Sequence, residues 1–271
     1  MLKPKSEKSR SSVFRLLKMR RGWLVLISVV LALILWEGLV HLENLPAFIL
    51  PAPELVAVRF WQVLLDGSLL RQTGYTLLEV LLGLLAGSSL ATTLGYLLAK
   101  SPTLERLLAP YLVASQAIPI VAIAPLLVIW FGPGIFSKIL ISALIVFFPV
   151  LVNTVVGLRA VPENLRDLMH SLKASRSQML RYLEIPSALP VLLGGLRIGA
   201  TLSVIGAVVG EWVGASSGLG FYMLHANARM QIDVMFAALT ILACTSLLLY
   251  FLVDRLLDRL IFWQPNQGTT L

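Results

Sequence analysis

Three carboxylates fall within or at the edge of long apolar stretches: Glu37, Glu79 and Glu211. An ionisable group in hydrocarbon is costly, so each is a candidate for handling a proton or a solute. Glu37 lies near one end of its stretch and Glu79 near the start of the next, where either carboxylate can simply reach the membrane interface. Glu211 stands apart, in the run Gly210-Glu211-Trp212-Val213-Gly214-Ala215-Ser216-Ser217-Gly218. Gly206, Gly210, Gly214 and Gly218 recur every fourth residue, which makes a smooth ridge if the helix persists that far, and such ridges let helices approach closely. Three readings stay open for this ridge: plain helix packing, a seam between two copies, or the lining of a pathway.

Other chemistry is poorly represented. His41, His170 and His225 form no H-E-x-x-H or similar cluster, no activated nucleophile is evident, and Cys244 is the single cysteine. Catalytic residues and metal ligands are therefore not expected. No lysine follows a glycine anywhere, so the chain has no glycine-rich phosphate loop of its own.

The elements that hold these groups must be membrane helices. Of 271 residues 58% are hydrophobic and only 13% charged, and the mean hydropathy is +0.86. A soluble domain carries nearer about 25% charged residues. Six apolar stretches emerge, at 23–40, 76–99, 111–131, 136–157, 191–213 and 235–263. Each is long enough to cross as a helix, and none alternates with the period of a barrel strand. The expectation is an all-α polytopic protein with six transmembrane helices. It divides into a basic tail at 1–21, a membrane domain at 22–263 and a polar tail at 264–271. Pro119 and Pro125 interrupt the third stretch, so that helix should be kinked or partly unwound. In the connection before the second stretch, Glu54 to Leu65 reads as a short helix near the interface.

Charge gives the orientation. The net charge is +8, but eight of the 22 basic residues sit in the N-terminal tail, which reads as a topology signal rather than a nucleic-acid patch. With both termini in the cytoplasm, that side holds 18 basic residues and the other holds 4. The basic tail and first apolar stretch also follow the plan of a secretory signal, yet the stretch is too long and no small-x-small site follows, so it should be retained.

One internal connection, 161–190, is patterned rather than merely hydrophilic. After Pro162, residues Leu165, Leu168, Met169 and Leu172 recur at the spacing of one helical face. An amphipathic helix with so narrow a stripe suits a membrane surface or a groove on a partner. Ser175 and Gln178 form the S-x-x-Q pattern of a capping box, so a second helix should start there and end before Pro186.

Here the residues carry a resemblance. Asp167-Leu168-Met169, then Lys173-Ala174, then Leu183-Glu184-Ile185-Pro186 resembles the EAA loop of bacterial ABC-importer permeases. That pattern is acidic-Ala-Ala, three residues, Gly, nine residues, then I-x-L-P. The similarity extends over nearly the whole span arrangement, most closely to the group importing sulfonates, taurine, nitrate, bicarbonate and thiamine-pyrimidine precursors. Two departures stand out: Leu168 and Met169 replace alanines, and Lys173 occupies the glycine position. If that turn demands a positive φ, lysine costs roughly 1–2 kcal/mol there.

The resemblance implies a permease subunit in the bacterial inner membrane. Its loop helix would dock into a groove on a cytoplasmic ATPase subunit, and the two such subunits of the transporter would use ATP and magnesium, so this chain would bind no cofactor. It also implies an external solute-binding protein and a pore made by two permease copies. By position Asp167 is the motif's acidic residue and Pro186 its proline. Because every ionisable side chain placed near mid-membrane is acidic, a neutral or weakly basic heteroaromatic, such as a thiamine-pyrimidine precursor, is favoured over sulfonate, taurine, nitrate or bicarbonate. A proton-coupled secondary transporter working through Glu37, Glu79 or Glu211 is the rival from another class, and a membrane-embedded enzyme a remoter one.

Overall fold

The computed structural model describes residues 7–261. The start of the basic tail and the polar tail at 264–271 lie outside the described residues. Eleven helices follow in order among them: α1 Glu7–Leu42, α2 Pro53–Leu65, α3 Ser68–Lys100, α4 Pro102–Gln116, α5 Ile120–Phe131 and α6 Ile135–Arg159 come first. Then follow α7 Glu163–Ser171, α8 Arg176–Met179, α9 Ile185–Gly214, α10 Leu219–Ala228 and α11 Ile232–Leu260. No strand occurs among the described residues.

Four segments are long and apolar enough to cross a bilayer: Ser68–Lys100, Ile135–Arg159, Arg176–Gly214 and Ile232–Leu256. The other two expected stretches take other forms among the described residues. The third is not one helix, because α4 and α5 are bent 97° from each other. Pro119 supplies the break: its backbone is extended, at φ −61 and ψ 122, and its missing N–H leaves the preceding turn unclosed. Pro125, by contrast, lies inside α5. The first span keeps only a shorter apolar helix, Leu26–Leu42, among the described residues.

The core is a three-helix stack in which α6 packs along both α3 and α9. Small residues make this possible. An added Cβ at Gly87 would stand 2.5 Å from the Ala143 carbonyl oxygen, and one at Gly206 2.6 Å from the Ser142 Cα, so backbones meet there without side chains between them. Val80, Val146, Val150 and Ala200 fill the centre, and Ser142 donates to the Ser203 carbonyl across the α6–α9 contact at 3.0 Å.

Outside this stack, α11 and α2 cover one flank, joined by an Arg59–Asp233 ion pair at 3.1 Å. The α2 helix is the short interfacial helix expected at 54–65. Between α2 and α3, the Ser68 N–H donates to Asp66 at 2.8 Å, and the Ser68 bonds hold that carboxyl below the usual carboxylate range. The α1 helix leans on α2 and on α11, where Trp36 and Phe236 rings lie 5.3 Å apart. Most of its large apolar side chains from Trp23 to Leu39 are exposed, as a lipid-facing helix requires.

The second loop helix does not end before Pro186. Instead α8, a π-helical stretch at Leu180–Glu184 and α9 form one rod from Arg176 to Gly214. The π-helix lies directly before the proline. Its wider turn, in which the Ile185 N–H donates to the Leu180 carbonyl, carries the chain into Pro186 without a break.

Candidate functional site: an outward loop helix and a buried polar cluster

The loop 161–190 folds as helix, turn, helix. Pro162 stands at the N-cap of α7, with ψ 135, rather than inside its first turn. The helix closes on a Schellman motif: the Lys173 N–H donates to the His170 carbonyl at 2.9 Å and the Ala174 N–H to the Met169 carbonyl at 3.0 Å. Lys173 accordingly has φ +54. The turn does demand the left-handed region, which is why glycine belongs there and lysine is strained. Ser175 and Gln178 then make a full capping box, at 3.3 and 2.8 Å.

The apolar stripe of α7 is divided. Met169 turns inward onto Val161, Met179 and Leu183, and the Arg166 guanidinium donates to the Leu158 carbonyl at 2.8 Å, tying α7 to the end of α6. Leu165, Leu168 and Leu172 point outward, with 38%, 54% and 68% of their surface exposed, beside an exposed Asp167. Three leucines on the outer face of a helix held from behind form a surface suited to a partner's groove. Pro186 is half-buried in the first turn of α9 and is not part of that exposed leucine face.

The second site lies inside the bundle. Glu211 is buried in the last turn of α9 and receives hydrogen bonds from the Thr76 hydroxyl at 2.6 Å and from the Gly220 N–H. Thr76 in turn accepts from the Leu219 N–H, and Gln72 from the Gly218 N–H, both at 2.7 Å. The N–H groups of the N-cap Gly218 and of the first two residues of α10 are therefore all satisfied by side chains of α3 and α9. Beside Glu211 lies Glu79, whose carboxylate faces Lys138 of α6 at 3.7 Å, with both side chains almost wholly buried.

Several sequence expectations change here. Glu79 does not reach an interface: α3 begins at Ser68, so Glu79 sits about three turns inside it. Lys138, one of the four basic residues counted on the non-cytoplasmic side, is a buried partner, and the claim that only acidic groups lie inside the bundle is overturned. The ridge of four glycines is cut short, because the helix ends at Gly214 and Ala215 is extended. Gly206 and Gly210 face Ser142 and Lys138 of α6 in the same chain, and Gly214 faces Val128 of α5. Gly218, at φ +106, lies outside the helix with the Glu211 carboxylate filling the place of its absent Cβ. Glu37 bonds only His41, one turn along α1, at 2.6 Å. Gln72, Thr76 and the helix α10 were missed altogether. No local pattern announces them, since the contacts join residues over a hundred positions apart.

Several apolar spans joined by a loop that presents an outward apolar face make a multi-pass membrane protein with a surface suited to a partner. The chain belongs to the binding-protein-dependent transport system inner membrane component family, whose model matches residues 79–262. It is 48% identical, over 88% of its length and 96% of the relative's, to a probable ABC transporter permease protein of Haemophilus influenzae. It is 47% identical to a riboflavin transport system permease protein of Chloroflexus aurantiacus, over 89% and 90% of the two chains. A formylaminopyrimidine transport permease protein of Halalkalibacterium halodurans is 34% identical over 87% and 93%. Among solved structures, the inward facing MetNI methionine ABC transporter matches with a TM-score of 0.63 at 22% identity, over 70% of this chain and 95% of that one. That likeness establishes the fold.

Proposed function

We propose that this chain forms the translocation pathway of an ABC importer, taking solute from an external binding protein and driven through α7 by cytoplasmic ATPase subunits. The observation that carries the reading is the outward leucine face of α7, held rigidly from behind by Met169 and Arg166. A linker helix would bury that face or lack it. A surface helix would need more apolar area than three leucines to hold on lipid, whereas a few anchors in a protein groove carry most of a contact's energy. The family and the permease relatives support the same reading. The nucleotide chemistry then belongs to the partner, two ATPase copies serve two permease copies, and both termini lie in the cytoplasm with α7.

For the solute we favour a heteroaromatic. The support is comparative: the riboflavin permease shares 47% of its aligned residues with this chain and the formylaminopyrimidine permease 34%, against 32% for permeases of aliphatic sulfonates and taurine. Charge does not contribute, because the buried groups include the cation Lys138, paired with Glu79, as well as acids. Uptake of radiolabelled riboflavin, a formylaminopyrimidine and taurine into proteoliposomes holding the full transporter and its binding protein tests both parts. Uptake of a heteroaromatic that needs internal ATP and survives proton uncoupling is expected. Taurine uptake alone would overturn the solute, and uptake abolished by uncoupling would overturn the class.

A further inference from the structure

At the end of the bundle that carries α7, two cavities meet. One, of about 530 Å³, is lined by Lys100, Arg166, His170 and Arg176, with Glu184 as its one acidic group. Glu184 is buried and ion-paired with Lys100, so it is already neutralised. Arg166 spends one nitrogen on the Leu158 carbonyl, while its buried Nε has no hydrogen-bond partner among the described residues. The side chains of Arg176 and His170 make no hydrogen bond or ion pair there either, and both are exposed. The cleft thus holds at least two uncompensated cations, and a third when His170 is protonated.

The neighbouring cavity, of about 330 Å³, is almost wholly apolar, with Leu97, Leu158, Leu189 and Leu192 among its walls. Tyr96 lines both cavities, so the basic cleft and the apolar groove adjoin at one side chain. They also follow the same rod: Met179 and Glu184 belong to the cleft, and Leu180 and Ile185 to the groove. The junction lies at the end of α3, between Tyr96 and Lys100, on the side of the bundle that carries α7.

We propose that this pair of cavities binds one anionic phospholipid, its phosphate-bearing headgroup in the cleft of Lys100, Arg166, His170 and Arg176 and an acyl chain in the groove beyond Tyr96. A free anion would satisfy the cleft but leave the groove unexplained. A neutral lipid would fill the groove but leave the cations unpaired. Only an amphiphile with a negative head matches both, and basic pockets between membrane helices are the setting in which anionic headgroups bind. The headgroup bridges α3 to α7 and α8, the elements that bracket the loop turn at Lys173. A bound lipid therefore stiffens the backing of α7, a consequence that needs no particular solute or partner.

The test uses the full chain purified in neutral detergent, titrated with phosphatidylglycerol, phosphatidylcholine and inorganic phosphate, and read by native mass spectrometry and thermal unfolding. Phosphatidylglycerol should stay bound as one molecule per chain and raise the unfolding temperature, with phosphatidylcholine and phosphate having little effect. R176Q, which removes an exposed cation with no partner, should weaken phosphatidylglycerol binding roughly fivefold, the worth of one basic residue against an anionic surface. T93W, filling the groove from an exposed position of α3, should abolish lipid retention. Equal retention of both lipids, an equal effect from phosphate alone, or wild-type binding in both variants would overturn the proposal. Loss of uptake without loss of lipid would bear on the transport reading only.

Discussion

Lys138 and Glu79 face one another between α6 and α3, Nζ to Oε1 at 3.7 Å, with neither side chain more than 4% exposed. The pair sits against Gly210, whose missing side chain lets the lysine stem pass within contact of α9. A buried pair of this kind is fragile to the loss of one partner, because the survivor is left charged and unpaired. Lys138→Met alone should destabilise the chain by about 3–5 kcal/mol, and Lys138→Met combined with Glu79→Gln should recover much of that. Thermal unfolding of the three proteins in one detergent decides it. Equal stability of the single and double variants would show that the pair is not coupled.

Glu211 and Thr76 cap α10, so their removal should loosen that helix specifically. Glu211→Ala strips an acceptor from the Gly220 N–H and from the Thr76 hydroxyl, at about 1–3 kcal/mol for each buried group left unmade. Amide exchange at Leu219 and Gly220 should accelerate while exchange in α6 stays slow. Gly218→Ala should act similarly, because a methyl would enter the Glu211 carboxylate and φ +106 disfavours any side chain.

Two glycines of α9 should behave oppositely. A Cβ at Gly206 meets backbone of α6 at 2.6 Å, so Gly206→Ala should cost about 1–3 kcal/mol by overpacking. Gly194 has nothing within 4 Å of that position, so Gly194→Ala should gain about 0.5–1 kcal/mol from helix propensity. Unfolding temperatures that move in the same direction would contradict the packing account.

Orientation is checked by reporter fusions after Leu65 and after Ser175. The 18-to-4 distribution of basic residues predicts outside and inside respectively.

Much of this molecule is legible in its sequence because lipid imposes a strict rule: backbone must be helical where it meets hydrocarbon. The spans at 76–99, 136–157 and 191–213, the described part of 235–263, the α2 helix and the Ser175 capping box all follow from local patterns, while the positive φ at Lys173 is foreshadowed only by the glycine that the resembling loop carries there. The ion pair of Glu79 with Lys138 does not, because nothing along the chain states which face of α3 meets α6. The same holds for α10, a short helix whose N-terminus is satisfied by Gln72 and Thr76 from another span. Pro186 misled for a different reason. A proline need not end a helix, as Pro149 inside α6 and Pro190 inside α9 show, and just before Pro186 the chain at Leu180–Glu184 widens into a π-helix.

The central claim is that α7 transmits ATPase motion to the spans through Leu165, Leu168 and Leu172. The Leu168 side chain is exposed and lies outside the Val161, Met169, Met179 and Leu183 cluster that backs the loop, so Leu168→Glu should leave the chain folded and inserted. ATP hydrolysis by the reconstituted transporter should then be measured with and without solute-loaded binding protein. The account predicts that stimulation by the loaded binding protein disappears in Leu168→Glu, and likewise in Asp167→Lys, while both variants remain in the membrane in normal amount. Wild-type stimulation in both would contradict it and leave α7 as no more than a connecting helix.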